Sequence, residues 1–400
     1  MSFDLISWIA ITISFFISLI IGYLLLVVHR LNKTFYIKVM LLSLIGHYIG
    51  GICYYWGTLH YPADAWGYFY NASPALNRIV GTAFVKYIVW WLRFLFFGEL
   101  YFGAYSFFIF IGFLGSMFYF LCFRELFLRL QRIYGYAFNI QRLRWGYFLV
   151  MCWPASLFWA SNLGKDSLAY FSLSLFFLSL VRLNKNKLYI LLLLAAALLS
   201  FCIRPYLVLV GTMGFFFWHF LERKENANLL VRVVVFFLIA ILGAFFAGMI
   251  AKFGGFEYSM DSILQKGLHQ QQSLAVGTSI PILANDKMLM LIFIPYMMFA
   301  NMFFPLFFFA KNLVGIIATC QNFLLLTLCY KFIKKKFERS CMKKIPIIGY
   351  MFWFFVSGMG LLGMTNTNLG LADREKIMYL MPLLIVILLT LSLRSLAKKS

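Results

Sequence analysis

Uninterrupted apolar runs, such as LYILLLLAAALLSF at 188–201 and LLVRVVVFFLIAILGAFFAGMI at 229–250, leave this chain few ways to fold. Inside a bilayer every backbone N–H and C=O must find a partner within the protein, so only helices and closed barrels span it. Barrel strands alternate apolar and polar residues, and these runs do not alternate. The chain is therefore read as an all-α polytopic membrane protein. Composition agrees: 63% of residues are hydrophobic and 12% charged, against about half apolar in soluble domains.

The Lys/Arg clusters between the runs orient the spans, because short cytoplasmic loops carry the excess of positive charge. A first helix at 5–28 runs inward from an outside N-terminus to the basic loop 29–38, and a second at 39–57 returns to an external loop at 60–78. The start MSFDLISW lacks a basic n-region, so this helix is expected to be retained rather than cleaved. Segment 82–100, with Lys86 and Arg93 among aromatics, suits an outer interfacial helix. Residues 101–122 cross inward to 123–145, whose five arginines mark it cytoplasmic. Two short pairs follow: 146–161 with 167–181, hinged at SNLGKDS (161–167), and 188–203 with 206–221, hinged at Arg204-Pro205-Tyr206. Both hinges face outward, because RLNKNK (182–187) and HFLERKENAN (219–228) are basic.

Helix 231–251 leads to an external loop at 252–287. If 288–310 and 313–332 both crossed, KFIKKKFERSCMKK (331–344) would lie outside, so 288–310, broken by Pro295, Asn301 and Pro305, is read as re-entrant or interfacial. Helices 346–363 and 377–394 flank an external loop at 364–376, and the C-terminus is cytoplasmic. At about 20 residues per crossing, this makes about 11 transmembrane helices plus two interfacial or re-entrant segments, in a single membrane domain over 1–400.

The net charge of +22 sits in short loops beside spans, where it meets anionic lipid; nucleic-acid binding needs a continuous basic face. The seven cysteines are scattered without metal-ligand spacing. No phosphate-binding GxxxxGK[ST], zinc motif or Ser/His/Asp signature is present. No metal and no soluble cofactor is expected.

The hinges carry the chemistry. Charges within spans are costly and persist mainly where they line a watery cavity or react. Asp64, with Tyr68 one helical turn later, is placed to take the proton of an acceptor hydroxyl, or else to cap a helix. Lys165 and Asp166 open a helix whose N-terminus suits a phosphate; a capped hinge with a local ion pair is the competing reading. Arg204, in an apolar hairpin beside Pro205 and Tyr206, needs an anionic partner such as a diphosphate, or the headgroup layer. Arg374 and Lys376 precede the last span, with Asp373 and Glu375 as neutralising neighbours or lipid headgroups as alternatives. His269 lies in the external loop, and His47 and His219 have no evident partner in the sequence.

The segments WPASLFWASNLGKDSLAYFSLSLFF (153–177), RPYLVL (204–209), FFPLFFFAKNLVGIIATCQN (303–322) and NLGLADREKIMYLMPLL (368–384) resemble bacterial integral-membrane proteins of polysaccharide biosynthesis. Those are the O-antigen or repeat-unit polymerase-like proteins and the GT-C-like glycosyltransferases. The resemblance implies glycosyl transfer at the outer leaflet of the bacterial inner membrane from an undecaprenyl (di)phosphate-linked sugar. A glycan acceptor, membrane lipids and other polysaccharide-assembly proteins are the implied partners. In GT-C enzymes an acid in the first external loop is catalytic, and Asp64 matches in kind, although Ala63 and Ala65 flank it where a second acid is usual. The polymerases hold carrier phosphates with external arginines, a role open to Arg204 and Arg374. The expected site is thus Asp64 and Asp166 as catalytic residues, with Tyr68, Lys165, Arg204, Tyr206, Asn368 and Arg374 binding substrate. A transporter or flippase of a lipid-linked or anionic solute is the rival, since a basic cavity binds phosphate without chemistry. A scaffold for other assembly enzymes is the third.

Overall fold

The computed structural model describes residues 5–61, 63–74, 80–134, 138–222, 287–305, 313–342, 345–366 and 369–393. The expected helix at 231–251, nearly all of the loop at 252–287, His269 and Asn368 lie outside them. Among the described residues the structure is helical, with no strand beyond a single bridge between Phe138 and Leu393. Six helices are long and apolar enough to cross a membrane: Leu5–Val28, Thr34–His60, Tyr101–Ile133, Gly315–Lys334, Pro346–Gly363 and Gly370–Ser392. Leu188–Ile203 and Tyr206–Phe220 are shorter apolar helices.

The chain forms two units, residues 1–128 with 144–205, and 129–143 with 206–400. The first holds α1 (Leu5–Val28), α2 (Thr34–His60), α3 (Asp64–Tyr70), α4 (Thr82–Leu92), most of α5 (Tyr101–Tyr134) and of α6 (Ile140–Met151), α7 (Pro154–Trp159), α8 (Lys165–Arg182) and α9 (Leu188–Ile203). The second holds α10 (Tyr206–Phe217), α11 (Lys287–Phe303), α12 (Leu313–Lys334), α13 (Lys336–Met342), α14 (Pro346–Thr365) and α15 (Leu369–Ser392).

Exposure separates lipid-facing helices from central ones. On α1 the side chains of Ile9, Ile13, Phe16, Ile20 and Leu24 are all exposed, a continuous apolar face that water would not tolerate and acyl chains would. The apolar stretch of α15 is 94% buried, against 22% for α1, so α15 is the axis of the second unit.

Three expectations change. The helix expected at 101–122 does not end there: α5 continues into segment 123–145 as far as Tyr134. Pro295 does not interrupt α11, which runs to Phe303 and ends before Pro305. In helices of this kind neighbouring groups re-satisfy the carbonyl that proline frees. The segment 364–376 is largely helical, because α15 starts at Leu369 and takes Asp373, Arg374, Glu375 and Lys376 into its first turns.

Close backbone approach organises the first unit. A Cβ at Gly50 of α2 would meet the carbonyl oxygen of Leu157, and one at Gly112 of α5 the carbonyl oxygen of Ala160, so two glycines seat the 157–160 segment between α2 and α5. Gly112→Ala is expected to destabilise the protein by about 1–3 kcal/mol through overpacking. Gly57→Ala, on the same helix as Gly50 but facing open space, should gain about 0.5–1 kcal/mol from helix propensity. Unfolding midpoints in detergent check both, and equal midpoints would show that the contact yields.

Candidate functional site

The first unit brings together three segments that lie far apart in sequence. Helix α8 begins at Lys165, inside the SNLGKDS hinge, and α9 returns antiparallel to it, ending at Ile203. A loop closes the hairpin at one end; at the other, Arg204 and Asp166 form an ion pair. Asp166 is 1% and Arg204 6% exposed, so each charge has exchanged water for the other. The second carboxylate oxygen of Asp166 accepts from Asn162 Nδ2 at 3.0 Å. Ser200 Oγ donates to Ser172 Oγ (2.9 Å) further along the hairpin.

Helix α3 covers this corner. A Cβ at Gly164 would lie 3.1 Å from Tyr68 Cε2 and 3.6 Å from Asn162 Oδ1, so the buried Tyr68 ring rests on the hinge glycine. The chain after α3 returns to the same corner: Gly81 N–H donates to the Cys202 carbonyl at 2.7 Å, two residues before Arg204. Arg93 then ties α4 to α3, donating to the Phe69 carbonyl (2.9 Å) with its guanidinium 4.7 Å from the Phe69 ring centre, and pairing with Glu99.

Asp64, the first residue of α3, is exposed, and Lys165 is half-buried. The segments carrying Asp64, Tyr68, Lys165, Asp166 and Arg204 therefore meet at one end of the first unit. Tyr206, half-buried, opens the second unit; Arg374 is half-buried on α15. Among the described residues no group of three or more His, Cys, Asp and Glu side chains is arranged to hold a metal.

What sequence reasoning missed is the support around this corner. His47 has partners: its Nδ1 lies 2.7 Å from Ser161 Oγ in the hinge, and its Nε2 2.9 Å from Ser116 Oγ on α5, itself 3.2 Å from Tyr170 OH on α8. Ser161 Oγ donates its own proton to the Leu157 carbonyl (2.8 Å), so it accepts from His47 Nδ1–H, and Ser116 Oγ is left to donate to Nε2. Nothing in the sequence links positions 47, 116 and 161. Asn162, four residues before Asp166, lies just outside α8 in the same hinge.

The α8–α9 loop end carries its own charge cluster. Glu125 of α5 accepts from Arg182 Nη2 (2.6 Å) and Lys185 Nζ (2.5 Å), and Arg182 Nη1 donates to His29 Nε2 (3.3 Å). Burial, reinforced by Arg182, lowers the His29 pKa to about 4, leaving a neutral ring able to accept that bond at pH 7. All these residues fall in segments that the charge pattern assigns to one membrane side, and here they touch.

In the second unit, Lys376 is 1% exposed and pairs with Asp373 one turn earlier (2.7 Å). It also donates to Asn322 Oδ1 (2.8 Å) and the Met302 carbonyl (3.4 Å), while Asn301 Nδ2 reaches the Asn366 carbonyl (3.3 Å). This buried polar knot joins α11, α12 and α15.

No family model, no curated protein and no solved structure matches the chain.

Proposed function

We propose that the chain is a multi-pass glycosyltransferase or polysaccharide polymerase, acting on undecaprenyl (di)phosphate-linked sugars at the outer leaflet of a bacterial inner membrane. The reading keeps the topology of about 11 spans with the N-terminus outside and the C-terminus inside. Its main support is one juxtaposition: the helix carrying Asp64 lies on the Lys165–Asp166 hinge, which the Arg204 pair locks to the end of α9.

In this reading Asp64 takes the proton from an acceptor sugar hydroxyl as its oxygen attacks the anomeric carbon of the donor. The new C–O bond forms as the bond from that carbon to the diphosphate oxygen breaks, and the departing diphosphate takes the electron pair. Lys165 meets its charge at the start of α8, where helix N–H groups also favour an anion. Arg204 and Asp166, buried on each other, are positioning residues that hold Lys165 and Tyr68 in register. Tyr206, Asn368 and Arg374 keep their substrate-binding assignment on the sequence pattern alone. Lipid carriers and a glycan acceptor are the partners.

The transporter reading draws on a different observation, the buried Lys376–Asp373–Asn322 knot, which places an ion pair and an amide in the interior of the second unit. Purified protein in proteoliposomes loaded with a synthetic polyprenyl-diphosphate oligosaccharide separates the two. Release of polyprenyl diphosphate with a longer glycan supports transfer; movement of intact substrate between leaflets with no new glycosidic bond replaces it with transport.

A further inference from the structure

The second unit contains a cavity of about 590 Å³ that none of the foregoing uses. It lies where α12 ends and α14 begins, two helices long enough to cross a membrane, so its level is that of the lipid headgroups. One wall is polar: Lys336 and Arg339, one helical turn apart on α13, with the exposed Ser340 beside them. Much of the remaining lining is apolar, including Ile348, Phe352 and Trp353 from the first turns of α14. We infer that this cavity binds an anionic phospholipid, its phosphate against Lys336 and Arg339 and the upper acyl chains along the α14 wall.

Three observations carry this. The volume falls in the range of about 300–1,000 Å³ typical of ligand clefts. Among the described residues no acid pairs with Lys336 or Arg339: Glu338, the acid in the same short helix, is taken by Lys335, whose ammonium also donates to the Leu393 carbonyl at 3.2 Å. Finally, Arg339 is held in place at the lining: its Nη2 donates to the Ile333 carbonyl (3.0 Å), and the guanidinium lies 5.6 Å from the Phe332 ring centre. A cation already positioned this way loses less side-chain freedom when it meets a phosphate. A water-soluble phosphate would supply the oxygens but leave the aromatic wall facing water, which favours a lipid as the source.

Native mass spectrometry of the full chain in detergent, with phosphatidylglycerol and phosphatidylcholine of matched acyl chains, tests the site. Phosphatidylglycerol should be retained in preference, and K336Q/R339Q should lower its apparent affinity more than tenfold. The single variant K336Q changes only an exposed side chain, which keeps the result independent of folding, and should lower it about fivefold. K331Q/K334Q, removing two exposed lysines of the same basic run but outside the cavity lining, should leave it within about twofold. Equal losses in both double variants would reduce the effect to diffuse surface charge and overturn the proposal. So would unchanged retention in K336Q/R339Q, equal retention of phosphatidylcholine, or displacement of the lipid by millimolar inorganic phosphate.

Discussion

Asp64→Asn is expected to lower glycan transfer by about 10²–10⁴-fold, the usual contribution of a positioned general base, while leaving the fold intact. The substitution keeps the size of the side chain and one acceptor oxygen, but replaces the other with an amide donor and removes the charge that makes the group basic. Because Asp64 is exposed at the start of α3, its stability cost should stay within about 0.5 kcal/mol. Arg204→Ala gives the contrast. It strands Asp166, 1% exposed, without the cation that neutralises it, and breaking such a buried pair costs about 3–5 kcal/mol. Loss of transfer in Arg204→Ala should therefore come with loss of folded protein, whereas Asp64→Asn should lose transfer at wild-type abundance. The double variant Arg204→Met/Asp166→Leu, which removes both charges, should recover much of the stability. Polymer length and yield, measured beside the amount of protein in the membrane, separate these outcomes. Wild-type polymer from Asp64→Asn would remove that carboxylate from the mechanism.

The helices were legible where hydropathy alone decides. The first helix at 5–28 and the pair 188–203 and 206–221 coincide with α1, α9 and α10 to within a few residues. Legibility failed where one residue's cost is cancelled by another far away. Proline inside 288–310 reads as a break because a lone sequence shows the lost hydrogen bond but not the neighbours that re-satisfy the backbone. The stretch ADREK was placed in an external loop, with Asp373 and Glu375 as neutralising neighbours; Asp373 does pair with Lys376, but across one turn inside α15, and the helix rather than the pairing was what the charges hid. For the candidate site, the types of residue and their hinge positions were readable, but their pairing was not. Arg204 was expected to meet an external anion; its partner is Asp166, 38 residues back in the chain. His47 had no visible partner because its two hydroxyls come 69 and 114 residues later.

Lys376→Met should destabilise the second unit by about 3–5 kcal/mol, since it leaves Asp373, 7% exposed, buried beside a thioether. The loss extends beyond the pair. Lys376 reaches α15's neighbours through Asn322 Oδ1 on α12 and the Met302 carbonyl on α11, so three helices lose a common anchor at once. Asp373→Asn alone should cost less than Lys376→Met, because Lys376 keeps those two acceptors while the amide remains able to accept a hydrogen bond. Lys376→Met/Asp373→Leu removes both charges and should lie well above Lys376→Met in stability, short of wild type by the orphaned Asn322 acceptor. Exposed Lys334→Gln, on α12 in the same unit, sets the baseline at about 0.5 kcal/mol. Unfolding midpoints of the four variants and the wild type in one detergent decide the matter. A Lys376→Met midpoint equal to that of Lys334→Gln would mean that the ammonium is solvated rather than buried, and that the knot joining α11, α12 and α15 does not hold them.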